Sequence, residues 1–539
     1  MSTHLEAITL GDRFRKVALQ LSSEPQIWAA LLVAALAWLL PVSYSYLQCL
    51  RKKKKLPPGP PVWPIVGSLA YLGGELHLAL LGLSKKYGDV MRVGLGQHTL
   101  IVVSSAEAAE ELMRRRDSEF SHRSGRTIQR SAARFIGIDS MDIAFSEYNT
   151  HLRMLRKLCT SELFTLSRLH ASSELRAGEI RVLLGTFRKH AETGKEIEVR
   201  ECFHTLTMNV MCLLMFGKRY YGADVPVTGE LESFRSLIID IFDTVGRLNL
   251  SDLIWCLRPF DVQGINRKWK QIRVRIENLF SMIIQEHRQR RRQINSSRDD
   301  KDDFVDVLLP YLEKDHLSDK GIIGLLSDML LGGTDTTATT LEWCMIEVVR
   351  NPEMMRRMQE EIDSVVGKER GVEESDISRL PFLNAFVKEV FRLHTPVPLT
   401  LPRLNDKAST LGGYYIPPEC TIFVNTFAIA HDERYWERPM EFNPDRFTGS
   451  GVSLTGNDFQ IIPFGSGRRK CVGIALGLAM VQRTLAALVH SFDFAPVDGV
   501  KPHEVDVSER YLLVLRNNVP LKLTATPRLP AHVYGITVA

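Results

Sequence analysis

One cysteine in a glycine- and arginine-rich loop is the residue best suited to chemistry in this chain. The segment Pro463–Gly473 reads PFGSGRRKCVG and places Cys471 beside three cations, directly before the helical pattern of Ile474–Leu488. Positive side chains and a helix N-terminus both favour a thiolate, so we expect a lowered pKa for this thiol. Glycines such as Gly467 permit a tight turn whose backbone amides point at the sulfur. Alone, the loop is compatible with a redox-sensing thiol, an anion-binding turn or a sulfur ligand beneath a flat macrocycle.

A run of glycine and threonine marks a second segment. The sequence GGTDTT at 332–337 lies inside a helical pattern that extends from Lys320 to Val349. Glycine and β-branched threonine are poor helix formers, so either packing overrides their propensity or the helix is locally distorted. A groove that faces a bound ligand would explain the glycines. The alternative is a Gly-Thr kink in which Asp335 caps a broken helix.

Three further segments carry charged residues in less specific patterns. Glu389 and Arg392 are three residues apart, so on a helix they share one face and can pair. Arg446 lies in the sequence FNPDRF at 442–447, and Arg156 lies in YNTHLRMLRK at 148–157. Pairs of this kind are common on protein surfaces and by themselves indicate no function.

Taken together, and in their order along the chain, these motifs resemble those of the cytochrome P450 family, most closely its plant microsomal type. The family's haem-binding loop reads Phe-x-x-Gly-x-Arg-x-Cys-x-Gly, a pattern that Gly467 completes here. The resemblance implies that Cys471 is the proximal iron ligand, that Arg469 pairs with a haem propionate and that Phe464 packs near the sulfur. Electron donation by a thiolate favours O–O cleavage over simple O₂ binding.

The resemblance also implies roles for the other segments. Asp335 and Thr336 would help to deliver protons to bound oxygen from a helix over the distal haem face, on which Gly332 and Gly333 form the groove. Arg156 would reach a haem propionate. The remaining three residues would form a structural network that locks the haem loop: Glu389, Arg392 and Arg446.

One position departs from the family's pattern. Leu152 stands where the family usually has tryptophan, four residues before Arg156. The indole N–H commonly reaches a propionate, and leucine cannot donate such a hydrogen bond. We expect His151 or a bound water to substitute.

Composition restricts the class of protein. With 539 residues, 45% of them hydrophobic and 24% charged, the chain is globular and long enough to bury a large core. The net charge of +5 is modest, and the basic residues form short runs with no continuous stripe, so nucleic acid is not expected as a partner. The eight cysteines show no C-x-x-C spacing, which favours a reducing compartment and excludes a zinc ribbon.

The N-terminal segment predicts a membrane anchor. Residues 26–50 contain no charge, and as a helix they exceed the roughly 30 Å of a bilayer's hydrocarbon core. The basic run 51–55 follows and outweighs the upstream cations, which places the rest of the chain in the cytosol. We therefore predict a lumenal segment 1–25, a transmembrane anchor 26–50, a basic and Pro-rich hinge 51–61 and a catalytic domain 62–539. The resemblance implies the endoplasmic reticulum membrane, with a single pass.

Beyond the hinge, helical patterns dominate. Strand-like runs are confined to Val90–Val103 and to short segments after Leu399. The sequence therefore predicts a mainly α fold with small β-sheets (α+β), and its size suggests a core organised around a large internal ligand.

The expected function follows from the resemblance. It implies a haem-thiolate monooxygenase with haem b, fed with electrons from NADPH by NADPH-cytochrome P450 reductase at the membrane lipid surface. Cations on the proximal side would contact this acidic partner: Arg153, Arg156, Lys157, Arg468 and Lys470. The substrate pocket should include Pro396–Pro402, the turn before Gly332 and Leu512–Val514. The tail Pro527–Tyr534 resembles that of plant phenylpropanoid and flavonoid hydroxylases, which points to a small hydrophobic or phenolic substrate.

Two alternatives remain open at this point. One is a haem-thiolate isomerase or dehydratase that acts without reductase or O₂, against which the intact Asp335–Thr336 pair argues. The other is a non-catalytic haem-binding membrane protein, such as a sensor or scaffold. The departure from the family's pattern at Leu152 favours this alternative.

Overall fold

The computed structural model describes residues 55–123, 128–222, 229–293, 302–314 and 317–534. The predicted lumenal segment, the predicted anchor and the basic residues 51–54 lie outside this range. Within it, one helix, Ile474–Ser491, is long and apolar enough to cross a membrane, but 67% of it is buried inside the protein, as in a core helix.

The chain divides into two units. The smaller comprises Met1–Pro57 with Gly413–Tyr415, and in its described part the N–H of Tyr415 donates to the carbonyl of Lys55 (2.8 Å). The larger comprises Pro58–Gly412 with Ile416–Ala539 and contains every site discussed below.

Helices form most of the larger unit. The α-helices are α1 (Leu76–Tyr87), α2 (Ala106–Glu110), α3 (Arg130–Phe135), α4 (Thr150–Leu158), α5 (Leu166–Ala171), α6 (Ser173–Glu192), α7 (Val199–Phe216), α8 (Gly229–Val245), α9 (Leu250–Leu253), α10 (Ile265–Gln293), α11 (Phe304–Glu313), α12 (Asp319–Arg350), α13 (Pro352–Val366), α14 (Pro381–Leu393), α15 (Thr426–Ala430) and α16 (Ile474–Ser491). Short 3₁₀ turns include Pro444–Phe447 and Gly467–Arg469.

The strands are short. They are β1 (Val90–Leu95), β2 (His98–Val103), β3 (Ile197–Glu198), β4 (Arg403–Leu404), β5 (Ser409–Leu411), β6 (Tyr414–Ile416), β7 (Thr421–Val424), β8 (Phe492–Pro496), β9 (Glu509–Tyr511), β10 (Leu515–Asn517) and β11 (Lys522–Pro527). The prediction of a mainly helical chain with small sheets is confirmed.

Three sheets belong to the larger unit. The first has the order β1-β2-β7-β4, in which β2 and β7 are parallel (Leu100 opposite Thr421) and the other pairs are antiparallel. The second has the antiparallel order β3-β11-β8, and β9 and β10 form a two-stranded ribbon. The predicted strand region Val90–Val103 is thus a hairpin, and the other strands lie after Leu399 as expected, except for the two-residue strand β3 (Ile197–Glu198), which the sequence did not indicate.

The long helix α12 passes through the core. It begins where the Ser318 hydroxyl accepts a hydrogen bond from the Gly321 N–H (3.1 Å), and it ends before Pro352. It packs against α7 and α16, and most of its residues are buried. The run 332–337 remains α-helical throughout, so burial against these neighbours overrides the poor propensity of glycine and threonine. The kinked-helix alternative, with Asp335 as a cap, is wrong.

Candidate active site

The cysteine loop is held by backbone hydrogen bonds around the sulfur. The N–H of Cys471 donates to the carbonyl of Phe464 (3.0 Å), and the N–H of Gly473 donates to the cysteine Sγ (3.3 Å). Gly467 adopts a φ of +69°, and a Cβ there would lie 2.2 Å from the carbonyl oxygen of Met113. Only glycine fits this turn, which leaves the sulfur open to the cavity beside it.

The environment of the thiol corrects one expectation. Burial raises the pKa of Cys471, and the hydrogen bond from Gly473 and the charge of Arg156 oppose this less strongly. The neighbouring Arg468 donates its backbone N–H to Asp117 (2.8 Å), and Arg469 turns its guanidinium towards backbone carbonyls. The flanking cations Arg468 and Arg469 therefore do not lower the pKa of this thiol as the sequence suggested, because their hydrogen bonds lead elsewhere.

A cavity of about 380 Å³ lies between α12 and the cysteine loop. It brings together eight of the predicted site residues: Cys471, Arg469, Phe464, Arg156, Gly332, Gly333, Asp335 and Thr336. Gly467 shapes the loop without lining the cavity, and the three predicted structural residues also lie outside the lining.

Four arginines face this cavity with few anions to balance them: Arg123, Arg156, Arg403 and Arg469. Arg403 pairs with Asp117 (2.9 Å), but among the described residues its buried Nε has no hydrogen-bond partner, and neither does the buried Nε of Arg123. Burial and the neighbouring arginines push the pKa of Arg123 well down and lower that of Arg469 to about 9. Buried cations with unused donors fit a ligand that carries carboxylates.

Sequence reasoning missed Arg123 and Arg403. Arg403 follows the predicted pocket segment 396–402 directly, so its position was the available signal. His151, the expected substitute for the missing indole, lies instead within hydrogen-bond distance of the Met141 carbonyl (3.1 Å) and is not part of the cavity lining. Leu152 is fully buried. The cavity therefore lacks the donor that tryptophan would supply to a carboxylate at position 152, but arginines elsewhere in the chain offer such donors.

The opposite wall carries the acid and the alcohol. Asp335 accepts a hydrogen bond from the Arg516 guanidinium (2.5 Å), and the imidazole Nε2 of His204 lies 3.6 Å from the same oxygen. The half-buried hydroxyl of Thr336 donates to the carbonyl of Gly332 (2.6 Å). Arg516 and His204 were not found from the sequence, because they come from β10 and α7.

The two glycines of α12 do different things. A Cβ at Gly332 would meet no atom within 4 Å, so this position opens the helix surface to the cavity. A Cβ at Gly333 would lie 2.5 Å from the Sδ of Met211, so this position permits close approach of α7. The first glycine therefore makes room for a ligand and the second for a neighbouring helix.

The expected Glu-Arg-Arg contacts are present. The carboxylate of Glu389 accepts from the Arg392 guanidinium (2.7 and 2.8 Å) and from Arg446 (3.1 Å). Arg392, completely buried, also donates to the carbonyls of Ala430 (3.0 Å) and Pro439 (2.7 Å). A buried ion pair with every donor used fixes the connections around it.

The rest of the lining is mostly apolar. The predicted pocket segments contribute Pro396, Val397, Thr400, Leu401, Met329, Leu331, Leu513 and Val514. Further lining residues that the sequence did not indicate are Phe145, Phe164 and Asp328. The cavity suits a large, mostly apolar ligand.

Comparisons with known proteins agree with this geometry. Residues 57–525 match the profile described as Cytochrome P450. A flavonoid 3'-monooxygenase of Crocosmia x crocosmiiflora is 36% identical over 488 residues, covering 89% of this chain and 94% of that protein. A flavonoid 3'-monooxygenase of Arabidopsis thaliana is 34% identical over 95% of this chain and 99% of that protein. A zebrafish cytochrome P450 structure superposes with a TM-score of 0.69 at 24% identity, covering 84% of this chain and 99% of the other.

Haem b is the cofactor of this family, and the site fits it. A cysteine sulfur lines the cavity, and arginines there have unused donors for two carboxylates. Across the cavity, Gly332 leaves room for a ligand on the surface of α12. From these residues and from the match over most of its length, the chain belongs to the cytochrome P450 family and is a plant haem-thiolate monooxygenase.

Proposed function

We propose that this monooxygenase hydroxylates a small phenolic substrate of the flavonoid or phenylpropanoid type. The observation that carries the proposal is the identity of 34–36% over nearly the whole chain to flavonoid 3'-monooxygenases and flavonoid 3',5'-hydroxylases. The mostly apolar cavity, with Phe145 and Phe164 in its wall, supports an aromatic ligand.

In the proposed mechanism, Cys471 would ligate the iron and the arginines of the cavity would hold the propionates. When bound, haem supplies oxygen activation, which thiolate donation promotes. The protein's part is to keep the sulfur in place: Gly473 donates to it, and its loop is anchored on Phe464. Glu389 would help to hold that loop through its contacts with Arg392 and Arg446, with no part in bond making.

We assign proton delivery to Asp335 and Thr336. The carboxylate of Asp335 is held between Arg516 and His204, and both cavity-lining side chains stand one residue apart on α12. The Thr336 hydroxyl bonds to Gly332 in this state, and rotation about χ1 would release it towards a proton acceptor in the cavity.

Electrons are proposed to come from NADPH-cytochrome P450 reductase at the cysteine side. Arg153, Lys157 and Arg468 are exposed, and the guanidinium groups of Arg153 and Arg468 lie 6.0 and 5.2 Å from the ring centre of Tyr148. Two separate elements thus present cations at one place, which suits an acidic partner. Arg156 does not join them, because its guanidinium donates inward to the carbonyl of Lys470 (2.8 Å).

Attachment to the endoplasmic reticulum membrane is supported by an exposed apolar surface. Trp63 is 57% exposed, Trp255 is 59% exposed and Phe260 is 72% exposed. The segment around Trp63 and the segment around Trp255 both contact the β1–β2 hairpin. Gly67 forms a β-bridge with Leu95, and the Gln97 N–H donates to the Leu253 carbonyl (3.2 Å). Exposed aromatic residues in such a patch favour a lipid interface, with the catalytic domain facing the cytosol.

The test is reconstitution of the expressed protein with reductase and NADPH. The expected result is NADPH-dependent hydroxylation of phenolic compounds from a panel of phenolic and lipid substrates. Turnover without NADPH would indicate an isomerase, and the absence of turnover across the panel would contradict the phenolic assignment. In parallel, a Cys471→Ser variant should lose the thiolate-type spectrum of the reduced, CO-bound protein; its retention would remove the ligand assignment.

A further inference from the structure

The cavity wall contains a carboxyl group that the proposed mechanism does not use. Asp328 lies on α12, and its Oδ2 accepts hydrogen bonds from the backbone N–H groups of Ile143 (2.6 Å) and Ala144 (3.0 Å). Within the described part of the chain, its Oδ1 has no hydrogen-bond partner, although the side chain is part of the cavity lining. One oxygen therefore fixes the loop at 143–144, and the other is available to a bound molecule.

A second carboxyl group lies behind the first. Asp142 is 1% exposed, and its Oδ1 accepts a hydrogen bond from the Phe145 N–H (2.9 Å). Burial and the neighbouring Asp328 raise the pKa of Asp142 well above its usual range, whereas burial raises that of Asp328 to about 6. Of the two groups, the one on the cavity wall therefore loses its proton first and carries the negative charge of the pair.

The cation that stabilises this charge is shared with the cofactor site. Arg123 is the cation that stabilises the Asp328 carboxylate, and its guanidinium also belongs to the arginine group assigned above to the propionates. A dianionic ligand at those arginines would engage Arg123 and weaken its stabilisation of the Asp328 carboxylate. A substrate carboxylate would lose its hydration next to a like charge, which is unfavourable.

We propose that Asp328 makes the enzyme selective for uncharged phenols: its free oxygen accepts a hydrogen bond from a substrate hydroxyl, and its charge disfavours substrates with a free carboxylate. This inference rests on the phenolic substrate class proposed above. It assigns Asp328 to substrate binding and not to the chemical step. The same side chain shapes the pocket by its two hydrogen bonds to the loop at 143–144.

The test compares spectral dissociation constants of matched probes with the full-length holoenzyme at pH 7.5. The probes are 4-hydroxycinnamic acid, its methyl ester and the methyl ester without the ring hydroxyl. The hydroxylated ester should bind the parent enzyme about tenfold more tightly than either the acid or the ester that lacks the hydroxyl. Equal binding of acid and hydroxylated ester overturns the proposal, and this result needs no variant.

An Asp328→Asn variant removes the charge, and its amide oxygen can still accept from Ile143 and Ala144. Binding of the acid should improve about tenfold, while binding of the ester that lacks the hydroxyl stays within twofold. The control is Asp319→Asn, which removes the same charge from an exposed position at the start of α12 and should change neither. An unchanged acid affinity in the Asp328 variant with normal haem content overturns the inference. If no probe shifts the parent spectrum, the phenolic class fails first, and this selectivity falls with it.

Discussion

Replacing Gly467 with alanine tests how closely the cysteine loop packs against Met113 and Asp117. Gly467 and Gly465 have φ angles of +69° and +66°, so alanine at either position carries a similar backbone cost of about 1–2 kcal/mol. Their surroundings differ. A Cβ at Gly467 would lie 2.2 Å from the Met113 carbonyl oxygen and 2.8 Å from the Asp117 carboxylate, whereas a Cβ at Gly465 would meet nothing within 4 Å.

The steric overlap adds a second cost at one site only. Forcing atoms into a packed interior typically costs about 1–3 kcal/mol, so we expect about 2–5 kcal/mol for Gly467→Ala and about 1–2 kcal/mol for Gly465→Ala. The strain also reaches the cofactor site, because Asp117 accepts from the Arg468 N–H (2.8 Å) and pairs with Arg403 (2.9 Å). The first variant should therefore lose haem as well as stability.

Both variants are purified in the same detergent, and their urea unfolding midpoints and reduced CO spectra are compared with those of the parent protein. The expected order of midpoints is parent, Gly465→Ala, then Gly467→Ala, with a clear fall in haem content only in the last. Equal midpoints for the two variants, or equal haem content, would refute the argument from the Met113 contact.

Three further outcomes are expected. Arg123→Gln should weaken haem retention by roughly tenfold, measured by haem transfer to apomyoglobin, and retention at the parent level would contradict its role at the propionates. Glu389→Gln leaves two buried arginines without their anion and should destabilise the protein by about 3–5 kcal/mol, whereas Glu353→Gln, in an exposed pair, should leave the unfolding midpoint unchanged. Burial lowers the pKa of His287, but the Asp303 carboxylate (2.8 Å) outweighs this and raises it, so the pair stabilises the fold below pH 6.5 and loses this effect as pH rises through the raised value. His287→Gln should therefore lower the unfolding midpoint more at pH 6 than at pH 9, and a larger loss at pH 9 would contradict the assignment.

Motifs whose chemistry depends on neighbours in the chain were readable from the sequence. The loop around Cys471 needs glycines and a following helix within a few residues, and the structure has both. Asp335 and Thr336 are adjacent in the motif that the sequence singled out, and both line the cavity. Family, fold class and cofactor could be predicted because these local requirements leave few alternative sequences.

Effects that depend on distant neighbours were decided by the tertiary structure alone. The pKa of Cys471 is raised because burial outweighs the nearby charges, although three cations adjoin it in sequence. Arg123 and Arg516 reach the site from segments far apart in the chain, and no spacing in the sequence indicates them. The backbone N–H groups of Ile143 and Ala144, far earlier in the chain, donate to one oxygen of Asp328, so its other oxygen is available to a ligand. Burial and long-range pairing are properties of the packed chain, whereas turn geometry and helix spacing are properties of the local sequence.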